Sequence, residues 1–230
     1  MNQHKYFAVL TGDIIKSSLL SKSNLDAVLS TLLNAAEVVK GWKRGLVKGN
    51  PEFFRGDTWQ LLLKNPALAM RVGIFLRASL LAEGKADSRI SIGMGKVENI
   101  SLKRISLSRG EAFFLSGHGL DSMTLYSNMT IVVPKSARPL SEWLSVVGHL
   151  CDSLIGQWTK RQAEIVSVAL APREPTHEEI AQRLNPTVSR QAVTNALNGA
   201  NWYAIREAIH QFERTAWESI IQSKRSDNLK

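Results

Sequence analysis

Two Gly-Asp pairs carry the residue types that could support chemistry in this chain. Gly12-Asp13 follows the apolar segment 5–10, and Gly56-Asp57 lies between Phe53-Phe54 and the leucine-rich segment 59–63. If these segments are neighbouring strands, their ends can bring the two carboxylates together. Close carboxylates repel each other unless a cation lies between them, and such oxygen ligands suit magnesium and phosphoryl chemistry. The pairs therefore predict a magnesium site, although most single Gly-Asp pairs are only turns.

The surrounding pattern predicts the elements that must position these aspartates. Apolar alternation and β-branched residues indicate strands, and apolar residues three and four apart indicate helices. The predicted strands are 5–10, 45–47, 53–63, 89–97 and 129–133, with residues 48–51 as a hairpin link, and the predicted helices are 23–39, 66–82 and 110–123. The order β-α-β-β-α-β, followed by α-β, predicts an α+β, ferredoxin-like domain over residues 1–135.

The charge of the chain predicts an anionic partner. The formal net charge is +9, and residues 1–134 hold 17 Lys and Arg against 10 Asp and Glu, whereas residues 135–230 hold 12 against 10. Such an excess favours nucleic acid or nucleotide phosphates as the partner. The alternative is a generally basic surface without a specific partner.

The cysteine content and the apolar segments predict a cytoplasmic protein. Cys151 is the single cysteine, so no internal disulfide can form, which is typical of a reducing compartment. No apolar segment has the length of a membrane span or the pattern of a signal peptide. The longest, 67–82, carries Arg71 and Arg77, which indicates a packed helix. We therefore expect no membrane partner.

Residues 136–158 predict a connecting helix. Its apolar residues recur at alternating spacings of three and four, which is typical of a helix-to-helix contact. They are Leu140, Trp143, Leu144, Val147, Leu150, Cys151, Leu154, Ile155 and Trp158. We call this set the apolar seam. It is either the contact of a homodimer or the face by which a linker helix packs on its own domain.

Residues 159–222 predict an all-α helix-turn-helix domain, followed by a tail at 223–230. Thr159 with Gln162, and Thr176 with Glu179, have the capping-box spacing of helix starts. A third helix begins at Ser189 after a turn at 185–188, and a further amphipathic helix is predicted over 202–220.

The polar face of the third helix has the residue types that read DNA. Arg can recognise guanine, and Gln or Asn can recognise adenine, in the major groove. The predicted DNA-binding residues are Ser189, Arg190, Gln191, Thr194 and Asn195. The alternative is a three-helix module that binds a protein or another subunit.

The stretches VLTGDIIKSS, FRGDTWQLLL, RISIGMG and RGEAFFLSGHGLD resemble, in this order, the class III nucleotidyl cyclases over roughly residues 5–134. In that family two aspartates hold magnesium ions against a nucleoside triphosphate. The resemblance implies Asp13 and Asp57 as metal ligands, with the backbone carbonyl of Ile14 as a third. More closely, TGDIIKSS, GD and GEAFFLSG with a trailing helix-turn-helix are similar to the SatD family. The stretches WTKRQAEIV, THEEIAQRL and VSRQAVTNAL resemble LuxR-type regulators and sigma-factor region four.

The chain departs from active cyclases where they place an Asn and an Arg that stabilise phosphate charge. These positions hold Phe114 and His118 in one register, and Asp121 and Leu125 in another, and Phe53 stands where the family has its purine-recognising Lys. We therefore assign no catalytic residue. Phosphate or nucleotide binding remains open, with charge supplied by Lys16, Arg55, Arg104, Arg109 and His118.

Three functions remain open from the sequence. The leading one is a DNA-binding transcriptional regulator whose N-terminal domain binds a nucleotide or another phosphate ligand with Mg²⁺. The second is a nucleotidyl cyclase or a related enzyme that acts on nucleoside triphosphates. The third is a non-catalytic structural or interaction protein.

Overall fold

The computed structural model describes residues 6–54, 56–137 and 140–222, which form a mixed α+β structure with five strands and nine helices. The strands are β1 Tyr6–Ile14, β2 Val47–Phe54, β3 Thr58–Leu63, β4 Ser88–Lys96 and β5 Met129–Val132. The helices are α1 Lys22–Trp42, α2 Ala69–Glu83, α3 Glu111–Asp121, α4 Leu140–Ile155, α5 Lys160–Ala169, α6 His177–Arg183, α7 Arg190–Gly199, α8 Trp202–Arg214 and α9 Trp217–Gln222. The predicted order of strands and helices is confirmed as far as α7. Arg55 and the tail 223–230 lie outside the described residues. None of the described helices combines the length and apolarity of a membrane span.

The five strands form one sheet in the order β2-β3-β1-β4-β5. Strand β1 is antiparallel to both β3 and β4, and β5 is parallel to β4. Each of the connections β1-α1-β2 and β3-α2-β4 passes over one intervening strand. The first Gly-Asp pair therefore lies in a strand that is paired on both sides.

The two faces of the sheet are covered by different helices, because successive side chains of a strand point to opposite faces. Ala8 and Leu10 belong to the large core with α1 and α2. Phe7 and Val9 belong to a smaller cluster beneath α3. A Cβ on Gly93 would collide with the α3 backbone, so glycine permits this close packing. Asp13, four residues after Val9, lies on the α3 face.

The predicted hairpin link at 48–51 is wrong. These residues lie within β2, where the register with β3 shifts between Lys48 and Glu52. The hairpin turn instead follows Phe54 and contains Gly56-Asp57. A Gly and a Pro inside a strand are also typical of a β-bulge, which explains why the sequence pattern misleads here.

The predicted helix over 202–220 is divided into α8 and α9. Thr215 has φ −68° and ψ 132°, an extended conformation that ends α8. The ring of Trp217 then lies 4.5 Å from that of Phe212, and its Nε1 donates to the Phe212 carbonyl at 2.7 Å. This buried ring contact packs α9 against α8. It is a tertiary contact, and helical periodicity in the sequence does not predict it.

The apolar seam is divided between two environments. Leu144, Cys151 and Ile155 are buried in the core of their own chain, as a packed linker helix requires. Trp143 and Leu150 remain exposed, with 65% and 60% of their surface accessible. The buried residues of the apolar seam therefore serve intramolecular packing. The homodimer stays a prediction, and only the exposed residues of the apolar seam can support it.

The helices after α4 share the large core of the sheet. One continuous hydrophobic cluster extends from Tyr6 to Ile221. The buried Arg71 of α2 donates from Nε and Nη2 to Glu213 of α8, at 2.6 and 3.0 Å. The boundaries at 135 and 158 stay predictions, and this ion pair joins the segments on either side of them.

The thiol of Cys151 is expected to be inert while the protein is folded. Burial, together with the negative charge of Asp152, raises the pKa of this thiol to about 11. The thiolate is the reactive form, so a thiol reagent at pH 8 should modify the folded chain on the order of a hundredfold more slowly than the denatured chain. A colorimetric thiol assay measures both rates, and equal rates would contradict the burial.

Candidate functional site

Asp13 lies in a row of side chains at one end of the sheet. Its register partners are Thr58 at the start of β3 and Arg89 near the start of β4. Gly56 has φ +91°, which glycine adopts without steric cost, and the turn that contains it places Asp57 directly before Thr58. Asp13 lies in β1 and Asp57 directly precedes the neighbouring strand β3, so the two aspartates are at the same end of the sheet.

The carboxylate of Asp13 is paired with the guanidinium of Arg89. Arg89 Nε donates to Oδ1 at 2.9 Å, and Nη2 donates to Oδ2. The hydrogen bonds to Asp13 and the negative charges of Asp13, Asp57 and Asp121 raise the pKa of Arg89 against the opposing effect of burial. Arg89 therefore stays charged at every pH at which the protein is folded.

Asp57 is held by a residue that follows β1. The hydroxyl of Ser17 donates to Asp57 Oδ2 at 2.5 Å. Ser17 begins a short 3-10 helix, Ser17–Leu19, which is preceded by Lys16 in the left-handed conformation at φ 55°. This segment brings the exposed Lys16 to the same end of the sheet as both aspartates.

Arg104 and Arg109, two of the other predicted phosphate ligands, contact other residues of the chain. Arg104 is paired through Nε with Glu52 of β2 at 3.2 Å. Arg109 forms a bridge with Asn99, beyond the end of β4 that is paired with Tyr6. The seven register positions between Tyr6 and Asp13 span roughly 23 Å of strand, so Arg109 lies near the opposite end of β1 from Asp13.

Arg55 lies outside the described residues, and His118 is exposed on α3. The His118 ring is stacked on that of Phe114, with centroids 5.8 Å apart. His118 lies one turn before Asp121, at the end of α3 that approaches Arg89.

The side chains around Asp13 and Asp57 do not fit a magnesium ion as they are arranged. In the described parts of the chain, no three acidic, His or Cys side chains are grouped so that they could hold a metal. Both oxygens of Asp13 are engaged by Arg89, and one oxygen of Asp57 is engaged by Ser17. Ile14, the predicted carbonyl ligand, is the last residue of β1 and pairs with Ser88. Magnesium binding stays a prediction.

Sequence reasoning does not find Arg89 and Ser17. The motif that contains Arg89 is visible in the sequence, but its partner depends on the β1–β4 register, which no local pattern specifies. Ser17 lies in a stretch of serines and leucines, where no local pattern distinguishes it from the neighbouring serines. The polar residues between Asp13 and α1, which are Lys16, Ser17, Ser18 and Ser21, indicate that a capping or binding loop follows β1.

Helix α7 carries three of the five predicted DNA-binding residues on its exposed side. Arg190, Gln191 and Asn195 are exposed, whereas Val193 and Leu197 are buried on the opposite side. Gln191 Nε2 donates to Asn195 Oδ1 at 2.9 Å. The two amides therefore form one polar surface a single helical turn long.

Ser189 and Thr194 have hydrogen-bonding partners within the protein. The hydroxyl of Ser189 caps α7 by accepting from the backbone N–H of Ala192 at 3.1 Å. The hydroxyl of Thr194 donates to the Arg190 carbonyl at 3.1 Å and lies 2.9 Å from His177 Nδ1. Ser189 therefore starts the helix, and Thr194 connects it to α6.

The two helices before α7 begin at the predicted caps. Both capping boxes are formed, by Thr159 with Gln162 and by Thr176 with Glu179. Six residues separate α6 from α7, and the N–H of Val188 donates to the Ala181 carbonyl at 3.4 Å. The buried Ile180 and Ala181 of α6 face the core that α7 shares. Local capping signals thus set where α5 and α6 begin, and packing in the shared core positions α7 against them.

Comparison with known proteins places the chain in no family. No family model matches the sequence, and no curated protein matches it. A solved structure described as the guanylyl cyclase Cya2 is similar to this chain at 19% identity, covering 55% of this chain and 74% of that one, with a TM-score of 0.37. A similarity at this TM-score carries no argument about fold or function.

Proposed function

We propose that this protein is a DNA-binding regulator that places α7 in the major groove. The observation that supports this most directly is the composition of the exposed side of α7, where Arg190, Gln191 and Asn195 lie together on one surface. These side chains have the donor and acceptor groups that recognise guanine and adenine edges. In this proposal α6 and α7 form the helix-turn-helix, and α5 supports them.

The anchoring of α7 supports the proposal. A recognition helix must hold its register against a groove, and Val193 and Leu197 fix the inner side of α7 in the core. Thr194 and His177 add a hydrogen bond between α6 and α7. The polar side chains are therefore presented from a helix whose rotation is fixed by packing.

The charge distribution sets the expected mode of binding. Residues 135–230 carry a net charge of only +2, from 12 Lys and Arg against 10 Asp and Glu. Few phosphate contacts from one copy imply weak, salt-sensitive binding. We therefore propose that the basic sheet part or a second copy contributes to affinity, and that the sheet part responds to a phosphate-bearing ligand.

The proposal is tested by selecting binding sites from a pool of random DNA duplexes and measuring affinity by fluorescence anisotropy. Arg190→Ala is expected to weaken binding to the selected site roughly 5- to 150-fold, which corresponds to about 1–3 kcal/mol for a bidentate base contact. The same variant should change binding to unselected DNA much less, because base contacts supply specificity and phosphate contacts do not.

The matched control is Arg214→Ala, which removes the same charge from the end of α8 that is remote from α7. It should leave the preference for the selected sequence unchanged. A selection that enriches no sequence would contradict the proposal. So would an equal loss of specific binding in both variants, because that result would report net charge alone.

A further inference from the structure

The row Thr58–Asp13–Arg89 at the end of the sheet contains its own cation. Asp13 is paired by backbone register with Arg89 on one side and with Thr58 on the other, and Asp57 directly precedes Thr58. A carboxylate pair on adjacent strands needs a positive charge nearby. In this chain Arg89 provides one from within the sheet.

The geometry of the pair leaves little room for a second cation. The guanidinium uses two nitrogens and both oxygens of Asp13, the fork arrangement that is the strongest form of this contact. The side chains of Asp13 and Arg89 are 18% and 35% exposed, so the pair is partly shielded from solvent. A divalent ion at Asp13 would have to share the carboxylate with Arg89 or displace it, and in either case it would lie beside a positive charge.

The nature of the side chain makes its positive charge permanent. A guanidinium cannot lose its proton in a protein, so no accessible pH removes the positive charge. Magnesium requires near-ideal octahedral geometry and loses its waters reluctantly. It therefore competes poorly with a preformed bidentate pair that is already within the fold.

We infer that Arg89 takes the place of the divalent cation at Asp13, so that this end of the sheet is electrostatically complete without a metal. The inference concerns the sheet only and does not depend on DNA binding by α7. According to this inference, the aspartates hold no metal ion in the intact chain, and Arg89 is the residue that positions Asp13. It also implies that removing the charge of Arg89 exposes a cation site that the intact chain lacks.

The test is a titration of the full chain with Mn²⁺ alone, read by electron paramagnetic resonance of the free ion. The unaltered chain should bind no Mn²⁺ that depends on Asp13, so Asp13→Asn should give the same titration. Arg89→Gln should acquire Mn²⁺ binding with a dissociation constant at least about tenfold lower than that of any residual Mn²⁺ binding by the unaltered chain. Adding Asp13→Asn to Arg89→Gln should abolish it.

Two further variants keep the result interpretable. Arg104→Gln removes another arginine of the sheet part that is paired with a carboxylate, Glu52, and should acquire no Mn²⁺ binding. Arg89→Lys keeps the positive charge and should also acquire none.

Circular dichroism establishes that each variant is folded. If Arg89→Gln does not fold, the comparison of Mn²⁺ binding by the unaltered chain and by Asp13→Asn still tests the inference. Mn²⁺ binding to the unaltered chain that Asp13→Asn removes would overturn the inference, and so would a folded Arg89→Gln that acquires no binding.

Discussion

Replacing Arg77 by alanine is expected to lower the free energy of unfolding by about 3–5 kcal/mol, the usual cost of removing one partner from a buried ion pair. The Arg77 side chain is fully buried, at 0% exposure. It donates from Nε and Nη2 to Asp87 at 2.9 and 2.5 Å, and from Nη1 to Asp152 at 2.7 Å. Its loss leaves two carboxylates without their cation, and Asp152 is itself only 5% exposed.

The position of Arg77 explains why the effect should extend beyond α2. Asp87 directly precedes β4, and Asp152 lies on α4, where its Oδ2 also accepts from the backbone N–H of Asn128 at 2.6 Å. One guanidinium therefore connects α2, the entrance to β4 and α4. Burial alone would lower the pKa of Arg77, but its hydrogen bonds to Asp87 and the charges of Asp87 and Asp152 raise it, so the group stays charged.

Equilibrium unfolding in urea, followed by circular dichroism, measures this loss. The control is Arg161→Ala, which breaks the Arg161–Glu164 pair within one turn of α5, where both side chains are more than a third exposed. Exposed pairs contribute about 0–1 kcal/mol, so this variant should stay close to the unaltered chain. If the two variants lose equal stability, Arg77 is not acting as a buried ion-pair centre.

The elements of the fold were predictable because their signals are local. Alternation over 89–97 predicts β4, and the capping boxes at Thr159 and Thr176 place the starts of α5 and α6 at the observed residues. In each case the information lies within a few residues of the feature.

The partners of the buried charges were not predictable, because they depend on packing between distant segments. Arg71 and Arg77 indicate a packed helix, but Glu213 and Asp152 lie 142 and 75 residues further along the chain. The pairing of Asp13 with Arg89 likewise depends on a strand register that a shift of one residue would change. Contacts of this kind determine which groups the aspartate side chains bind, and sequence motifs do not report them.

Replacing Trp59 by alanine should cost about 3–5 kcal/mol of stability, as expected for truncation of a buried aromatic residue. Trp59 is 2% exposed, and its ring fills the space beside Gly12, where an added Cβ would lie 2.6 Å from it. Its Nε1 donates to Ser88 Oγ at 3.0 Å, and Ser88 donates in turn to the Asp13 carbonyl at 2.7 Å. The indole therefore supports the backbone that carries Asp13 and Arg89.

The matched control is Trp143→Ala, which truncates the same residue type on α4 at 65% exposure. Surface substitutions usually change stability by no more than about 0.5 kcal/mol, so thermal unfolding followed by far-ultraviolet circular dichroism should separate the two variants clearly. A folded Trp59→Ala chain that matches Trp143→Ala in stability would contradict the buried position of the indole.

Because Trp59 supports both Gly12 and Ser88, its loss should also loosen the end of β1. Hydrogen exchange at the Asp13 amide should therefore accelerate in Trp59→Ala and remain unchanged in Trp143→Ala.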